Sequence, residues 1–110
     1  MGLINESNEE GILPIRKDWT EFNPENVAQA PEADGVYELS DGENNVVYIK
    51  GTTNLKQSLQ ENMADDEPCL AQVRFFRFEE IFMYTSKESE LIQKFTRKNG
   101  AMPQCNMEIL

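Results

Sequence analysis

The sequence contains no histidine, which limits the chemistry that its other side chains could carry out. Without imidazole there is no histidine general acid or base, no Ser-His or Cys-His nucleophile, and little provision for transition metals. Catalysis would therefore have to rely on tyrosine, lysine, arginine, aspartate or glutamate. The acidic run Asp65-Asp66-Glu67 lacks the spaced ligands of a calcium loop, so it is interpreted as a solvated turn.

The two cysteines, Cys69 and Cys105, lie far apart in the chain and form no C-x-x-C pair. Such isolated cysteines are not typical of a zinc motif or of a disulfide framework. The sequence therefore predicts two buried free thiols in a reducing cytosol. No basic region followed by an apolar run opens the chain, which favours a cytoplasmic location over export.

Composition points to one small acidic domain. The chain has 110 residues, and its 20 acidic residues against 10 basic ones give a formal charge of -10. That charge repels phosphate and disfavours nucleic acid as a partner, so an unknown protein or another ligand is expected instead. No stretch has the length of a membrane span. A core this small predicts a monomer or a weak homodimer.

The elements that must position any reactive side chains can be predicted from turn signals and hydrophobic spacing. Residues 1–18 are expected to be mobile or loosely packed, and residues 19–110 to form a single domain in which Trp19 and Phe22 cap the core. Strands are predicted at 35–40 and 46–50, as a hairpin, and at 74–84. Helices are predicted at 24–30, from Leu55 to Met63, at 68–73 and at 86–99, followed by an extended tail over 102–106. The expected fold class is α+β, with a small, three-stranded, mainly antiparallel sheet flanked by helices.

Residue identities on this framework suggest a family. Gly35-Val36-Tyr37 is followed about ten residues later by Val47-Tyr48-Ile49-Lys50-Gly51, and Asn54-Leu55 opens the next helix. Glu88 lies in the last long helix, and Pro103-Gln104-Cys105-Asn106 follows that helix. In this order and spacing, residues 33–107 resemble the GIY-YIG nucleases.

The resemblance implies a single-metal phosphodiesterase site. Tyr37 and Tyr48 would line it, and one of them would help to activate the attacking water. A helix arginine would stabilise the negative charge that develops on the phosphate, and Glu88 would bind one Mg²⁺. The two phenols and the Glu88 carboxylate should then meet around one shared hollow.

The sequence departs from the family at the arginine. Ten residues after Tyr48 stands Ser58, and a shift of one residue, which would match Gly51 to the motif glycine, brings Leu59 there instead. In the direct register Lys50 replaces that glycine, where it could either obstruct the site or supply the missing charge. The tyrosine that the family often has four residues after the arginine is Asn62.

Each of these residues also has a purely structural interpretation. Tyr37 and Tyr48 could be cross-strand packing partners in an ordinary hairpin. Glu88 lies three residues after Thr85, so the two could form a capping box at the start of the last helix without any metal.

Three functions therefore remain open. The first is a GIY-YIG-like binding module that is catalytically inactive or impaired and needs no cofactor. The second is a Mg²⁺-dependent DNA endonuclease in which Lys50 replaces the arginine. The third is a small-molecule binding domain, which a pocket beside Tyr37 and Tyr48 without a cationic corner would favour.

Overall fold

A computed structural model describes residues 14–15 and 17–109. Most of the segment predicted to be mobile, 1–18, lies outside these residues. The strands are β1 (Thr20–Glu21), β2 (Gly35–Ser40), β3 (Val46–Thr52) and β4 (Phe75–Glu80). The helices are α1 (Pro24–Val27), α2 (Leu55–Ala64), α3 (Tyr84–Asn99) and α4 (Gln104–Glu108), and a 3-10 segment spans Pro68–Gln72.

The four strands form one antiparallel sheet in the order β1-β4-β2-β3. The α+β class is confirmed, but the prediction of three strands is wrong. β1 contributes only two residues, both exposed, and pairs Thr20 with Phe76. A strand of this length carries no alternating hydrophobic pattern, so the sequence gives no sign of it.

The predicted hairpin is confirmed, since β2 and β3 are paired antiparallel strands. Asp41 closes its turn, because its Oδ1 accepts the backbone N–H groups of Glu43 and Asn45 at 2.9 Å each. In the resulting register Tyr37 pairs with Lys50 and Leu39 pairs with Tyr48. Since paired residues point to the same face, both tyrosines and the lysine lie on one side of the sheet.

A separate hydrophobic cluster covers each face of the sheet. The larger one joins both motif tyrosines to α2 and to the 3-10 segment, and Phe22 packs against it as expected. Trp19 lies elsewhere, under the guanidinium of Arg77 at 4.0 Å from its ring centroid. On the opposite face Ile15, Val36, Ile49 and Leu91 form the second cluster beneath α3.

The two long helices end in different ways. Oδ1 of Asn54 accepts the N–H of Gln57 at 3.0 Å and caps the start of α2. Gly100 ends α3 in the left-handed conformation, directly after residue 99, where the helix was predicted to end. The start of α3 is different, because the helix begins at Tyr84 and no side chain caps it. Thr85 is therefore inside the first turn, and the predicted capping box with Glu88 is wrong.

The C-terminal segment corrects two predictions. Residues 104–108 are the helix α4 rather than part of an extended tail. Cys105 on this helix forms a disulfide with Cys69 of the 3-10 segment, so neither cysteine is a free thiol. The partners are 36 positions apart in the chain, and only the fold brings them together.

Candidate functional site

A cavity of about 380 Å³ opens between the hairpin and α2, with α3 and α4 at its rim. We call it the tyrosine cavity. The structure brings six of the predicted site residues together in its wall: Tyr37, Tyr48, Lys50, Ser58, Glu88 and Asn106. The expected shared hollow is therefore present.

Three other predicted residues do not line the tyrosine cavity and have structural roles. A β-carbon on Gly35 would collide with the carbonyl oxygen of Glu79 and lie 2.6 Å from a methyl group of Leu55. A β-carbon on Gly51 would lie 2.9 Å from the carbonyl oxygen of Tyr84. The two glycines thus let α2 and α3 approach the sheet closely, and Asn54 is the cap of α2.

The two motif tyrosines are buried to similar degrees but differ in their hydroxyl contacts. Their ring centroids are 6.3 Å apart and tilted by 58°. Tyr37 is fully buried, and its hydroxyl donates a hydrogen bond to Oδ1 of Asn62. Tyr48 is 7% exposed, and its hydroxyl makes no hydrogen bond to any residue that the structure describes. One phenol is thus committed to the fold, while the other is left available in the cavity wall.

Burial and nearby carboxylates keep both phenols neutral. Burial, with smaller contributions from Tyr48, Glu61 and Glu88, raises the pKa of Tyr37 well above its usual value of 10.0. Burial, followed by Glu88 and Asp65, also raises the pKa of Tyr48. Neither residue can supply a tyrosinate base at neutral pH.

The raised pKa of Tyr37 predicts a loss of stability in alkali. Below pH 10.0 the phenol is protonated in both states, and its contribution to stability is complete. Above that pH the unfolded chain ionises first, so stability falls until the pH passes the folded pKa, by at most about 1.4 kcal/mol per pH unit for each group. Urea unfolding at a series of alkaline pH values should show a shallower decline for Tyr37→Phe than for the wild type. Equal declines would contradict this prediction.

Ser58 stands where the GIY-YIG resemblance would place an arginine. Its hydroxyl is 2.6 Å from the hydroxyl of Thr52, and the residue is only 9% exposed. This short, neutral side chain, already paired to the hairpin, supplies no positive charge that could stabilise a phosphate.

The side chain of Glu88 extends from α3 to the tyrosine cavity and contacts the backbone of β3 at the edge of the sheet. Its Oε2 accepts the N–H of Gly51 at 3.1 Å. This contact, and not the predicted cap, accounts for the position of its carboxylate. The Mg²⁺ ion that the resemblance implies would have Glu88 as its single protein ligand, with water and phosphate completing its coordination; in the described part of the chain no three histidine, cysteine or acidic residues are placed to hold a metal ion together.

Asn106 completes the outer edge of β3. Its Oδ1 accepts the N–H of Ile49 and its Nδ2 donates to the carbonyl oxygen of Ile49, each at 2.9 Å. The side-chain amide therefore replaces a neighbouring strand at an edge that would otherwise be open to another chain. The residue that the resemblance placed in the site is chiefly a structural clamp.

The tyrosine cavity is acidic. Glu61, Asp65 and Glu88 contribute three carboxylates to its wall, whereas Lys50 contributes one ammonium group and makes no ion pair with any described residue. Sequence reasoning missed Glu61 and assigned Asp65 to a solvated turn. Their spacing was nevertheless informative, since positions 58, 61, 62 and 65 fall on one side of a helix.

These features define a small α+β domain with an acidic, tyrosine-lined cavity at the edge of its sheet. The chain belongs to the family described as Domain of unknown function (DUF7508), which matches residues 13–98. No curated protein matches the sequence. Among residues 14–15 and 17–109, no helix has the length and apolar character needed to cross a membrane.

Proposed function

We propose that this domain is a GIY-YIG-like binding module that uses the tyrosine cavity to hold a ligand and does not cleave phosphodiesters. The observation that carries the proposal is the charge of the cavity wall. Three carboxylates stand against a single lysine, and a serine lies where GIY-YIG nucleases have their arginine.

The physics of phosphodiester cleavage supports an inactive site. The transition state gathers negative charge on oxygen, so groups that stabilise it must be positive and fixed in advance. Loss of one such contact costs about 2.7–4 kcal/mol, or two to three orders of magnitude in rate. Here the guanidinium is missing, and Glu61 and Asp65 add charge of the wrong sign.

A Mg²⁺-dependent DNA endonuclease is the second candidate. It is favoured by Lys50, whose side chain lines the same cavity as both tyrosines and Glu88. The ammonium group could then take over the role of the arginine, although a lysine offers a point charge and not the two-pronged hydrogen bonding of a guanidinium.

Nicking of supercoiled plasmid in the presence of Mg²⁺ or Mn²⁺ separates the two candidates. We expect the wild type to nick no faster than the buffer with either metal. The informative variant is Glu88→Ala, and Glu90→Ala is its matched control because Glu90 is exposed on the same helix.

One pattern would overturn the proposal in favour of the endonuclease. It consists of nicking by the wild type and by Glu90→Ala, together with its loss in Glu88→Ala. Nicking that survives in all three proteins would point to a contaminating nuclease, and repurification should then remove it.

A further inference from the structure

We propose that the ligand of the tyrosine cavity is a small organic dication of the aliphatic diamine or polyamine class. This inference rests on the binding role proposed above and names the chemistry of the ligand. Its starting point is the combination of three carboxylates, one lysine and two aromatic rings around about 380 Å³, a volume within the usual range for small-molecule sites.

The charge balance of the wall sets the charge of the ligand. Glu61, Asp65 and Glu88 together exceed Lys50 by two negative charges. The formal charge of the whole chain, -10, adds a long-range field of the same sign. A ligand with two ammonium groups would balance the wall, whereas a phosphate would add to its excess charge.

The hydroxyl of Tyr48 independently points to a ligand. Tyr48 is more than nine-tenths buried, and its hydroxyl lines the tyrosine cavity without a hydrogen-bond partner among the described residues. In the described part of the chain only Oγ of Ser40 is both buried and without a partner, so the Tyr48 hydroxyl is accessible to a ligand in the cavity. An ammonium N–H of the ligand could donate a hydrogen bond to this oxygen.

The arrangement of the carboxylates favours an extended cation over a metal ion. All three line one cavity, but no three acidic side chains in the described part of the chain converge tightly enough to coordinate a single ion. A metal ion gathers its ligands around one point. A diamine can instead reach separate carboxylates with its two ends, while its methylene groups contact Ile109 in the wall.

Titration calorimetry with putrescine at low ionic strength tests the proposal. We expect saturable binding that the uncharged diol of equal length does not reproduce. Glu61→Gln and Asp65→Asn should each weaken binding about tenfold, because each removes a charged acceptor while keeping its shape. Glu90→Gln is the matched control, since it changes the net charge equally at an exposed position outside the cavity.

Two further variants test the geometry. Tyr48→Phe should weaken putrescine binding while leaving the unfolding midpoint unchanged, because the hydroxyl has no partner to lose. Lys50→Gln should strengthen binding severalfold, because it removes a like charge from the wall. If the cavity bound an anionic ligand through Lys50 instead, Lys50→Gln would not strengthen putrescine binding.

Several results would overturn the inference. The first is the absence of putrescine binding by the folded wild type. The second is equal weakening of putrescine binding by Glu90→Gln and Glu61→Gln. The third is binding of Mg²⁺ but not of putrescine, with the same dependence on Glu61 and Asp65. Failure of the proposed function would look different. Glu88-dependent plasmid nicking would remove that function, whereas an inactive protein that ignores putrescine would remove only the diamine.

Discussion

Loss of the Cys69–Cys105 disulfide is expected to lower the free energy of unfolding by about 3–4 kcal/mol. The bond joins residues 36 positions apart, and opening it gives the unfolded chain the conformational freedom of that loop. A domain of this size is stable by only about 5–15 kcal/mol in total. The loss should therefore lower the thermal midpoint by about 15 °C.

The measurement compares thermal unfolding of the oxidised and the dithiothreitol-reduced wild type. Cys69→Ala/Cys105→Ala supplies the control, because reductant should not change its midpoint. Identical midpoints for the oxidised and reduced wild type would contradict the prediction. They would show that packing alone holds α4 against the 3-10 segment.

The disulfide also lies close to the tyrosine cavity. Cys105 lies next to Asn106, which clamps the edge of β3 at Ile49. Ile109, one turn further on, lines the tyrosine cavity. The bond thus fixes α4, which closes one side of the tyrosine cavity. Its loss should destabilise α4 before the sheet unfolds.

Local patterns in the sequence were sufficient to predict the hairpin and the two long helices. Asp41 and its neighbours carry the turn chemistry, and Asn54 and Gly100 carry the cap chemistry, within a few residues of where each acts. Interactions of this range can be read directly from a sequence, because the residues that make them are adjacent in the chain.

Contacts between distant segments could not be predicted in the same way. The two-residue strand β1 exists because β4 offers it an edge, and Cys69 meets Cys105 because α4 folds back onto the 3-10 segment. The hydrogen bond from Gly51 to Glu88 likewise depends on where α3 crosses the sheet. Local pattern reasoning could therefore offer only a capping box within its own helix as the structural alternative to a metal-binding role for Glu88.

The candidate site was anticipated in part. Tyr37, Tyr48 and Glu88 were expected to share a hollow, and they do. The acidity of that hollow was missed, because Asp65 was grouped with its sequence neighbours instead of with Ser58 on the same side of α2. The resemblance directed attention to the missing arginine, whereas the carboxylates bear more directly on what the cavity can bind.

Tyr37→Ala should have the other large effect, lowering the free energy of unfolding by about 3–5 kcal/mol, as is usual when a buried aromatic ring is truncated. Its ring is fully buried in the larger cluster, and the truncation leaves a space that the surrounding residues cannot fill. Tyr37→Phe keeps the ring and removes only the hydrogen bond to Asn62, so it should cost about 0.5–1.5 kcal/mol. Urea unfolding of both variants measures the difference.

This pair of variants distinguishes a core residue from a catalytic one. Tyr48→Phe is the matched control, since its hydroxyl has no partner among the described residues and its removal should leave stability unchanged. If Tyr37→Phe were as unstable as Tyr37→Ala, the hydrogen bond to Asn62 would be the main contribution of Tyr37. The packing argument would then fail. The expected order, with alanine far below phenylalanine, would mean that packing in the fold is enough to account for the first motif tyrosine, so that of the two motif tyrosines only Tyr48 has a hydroxyl available to a ligand.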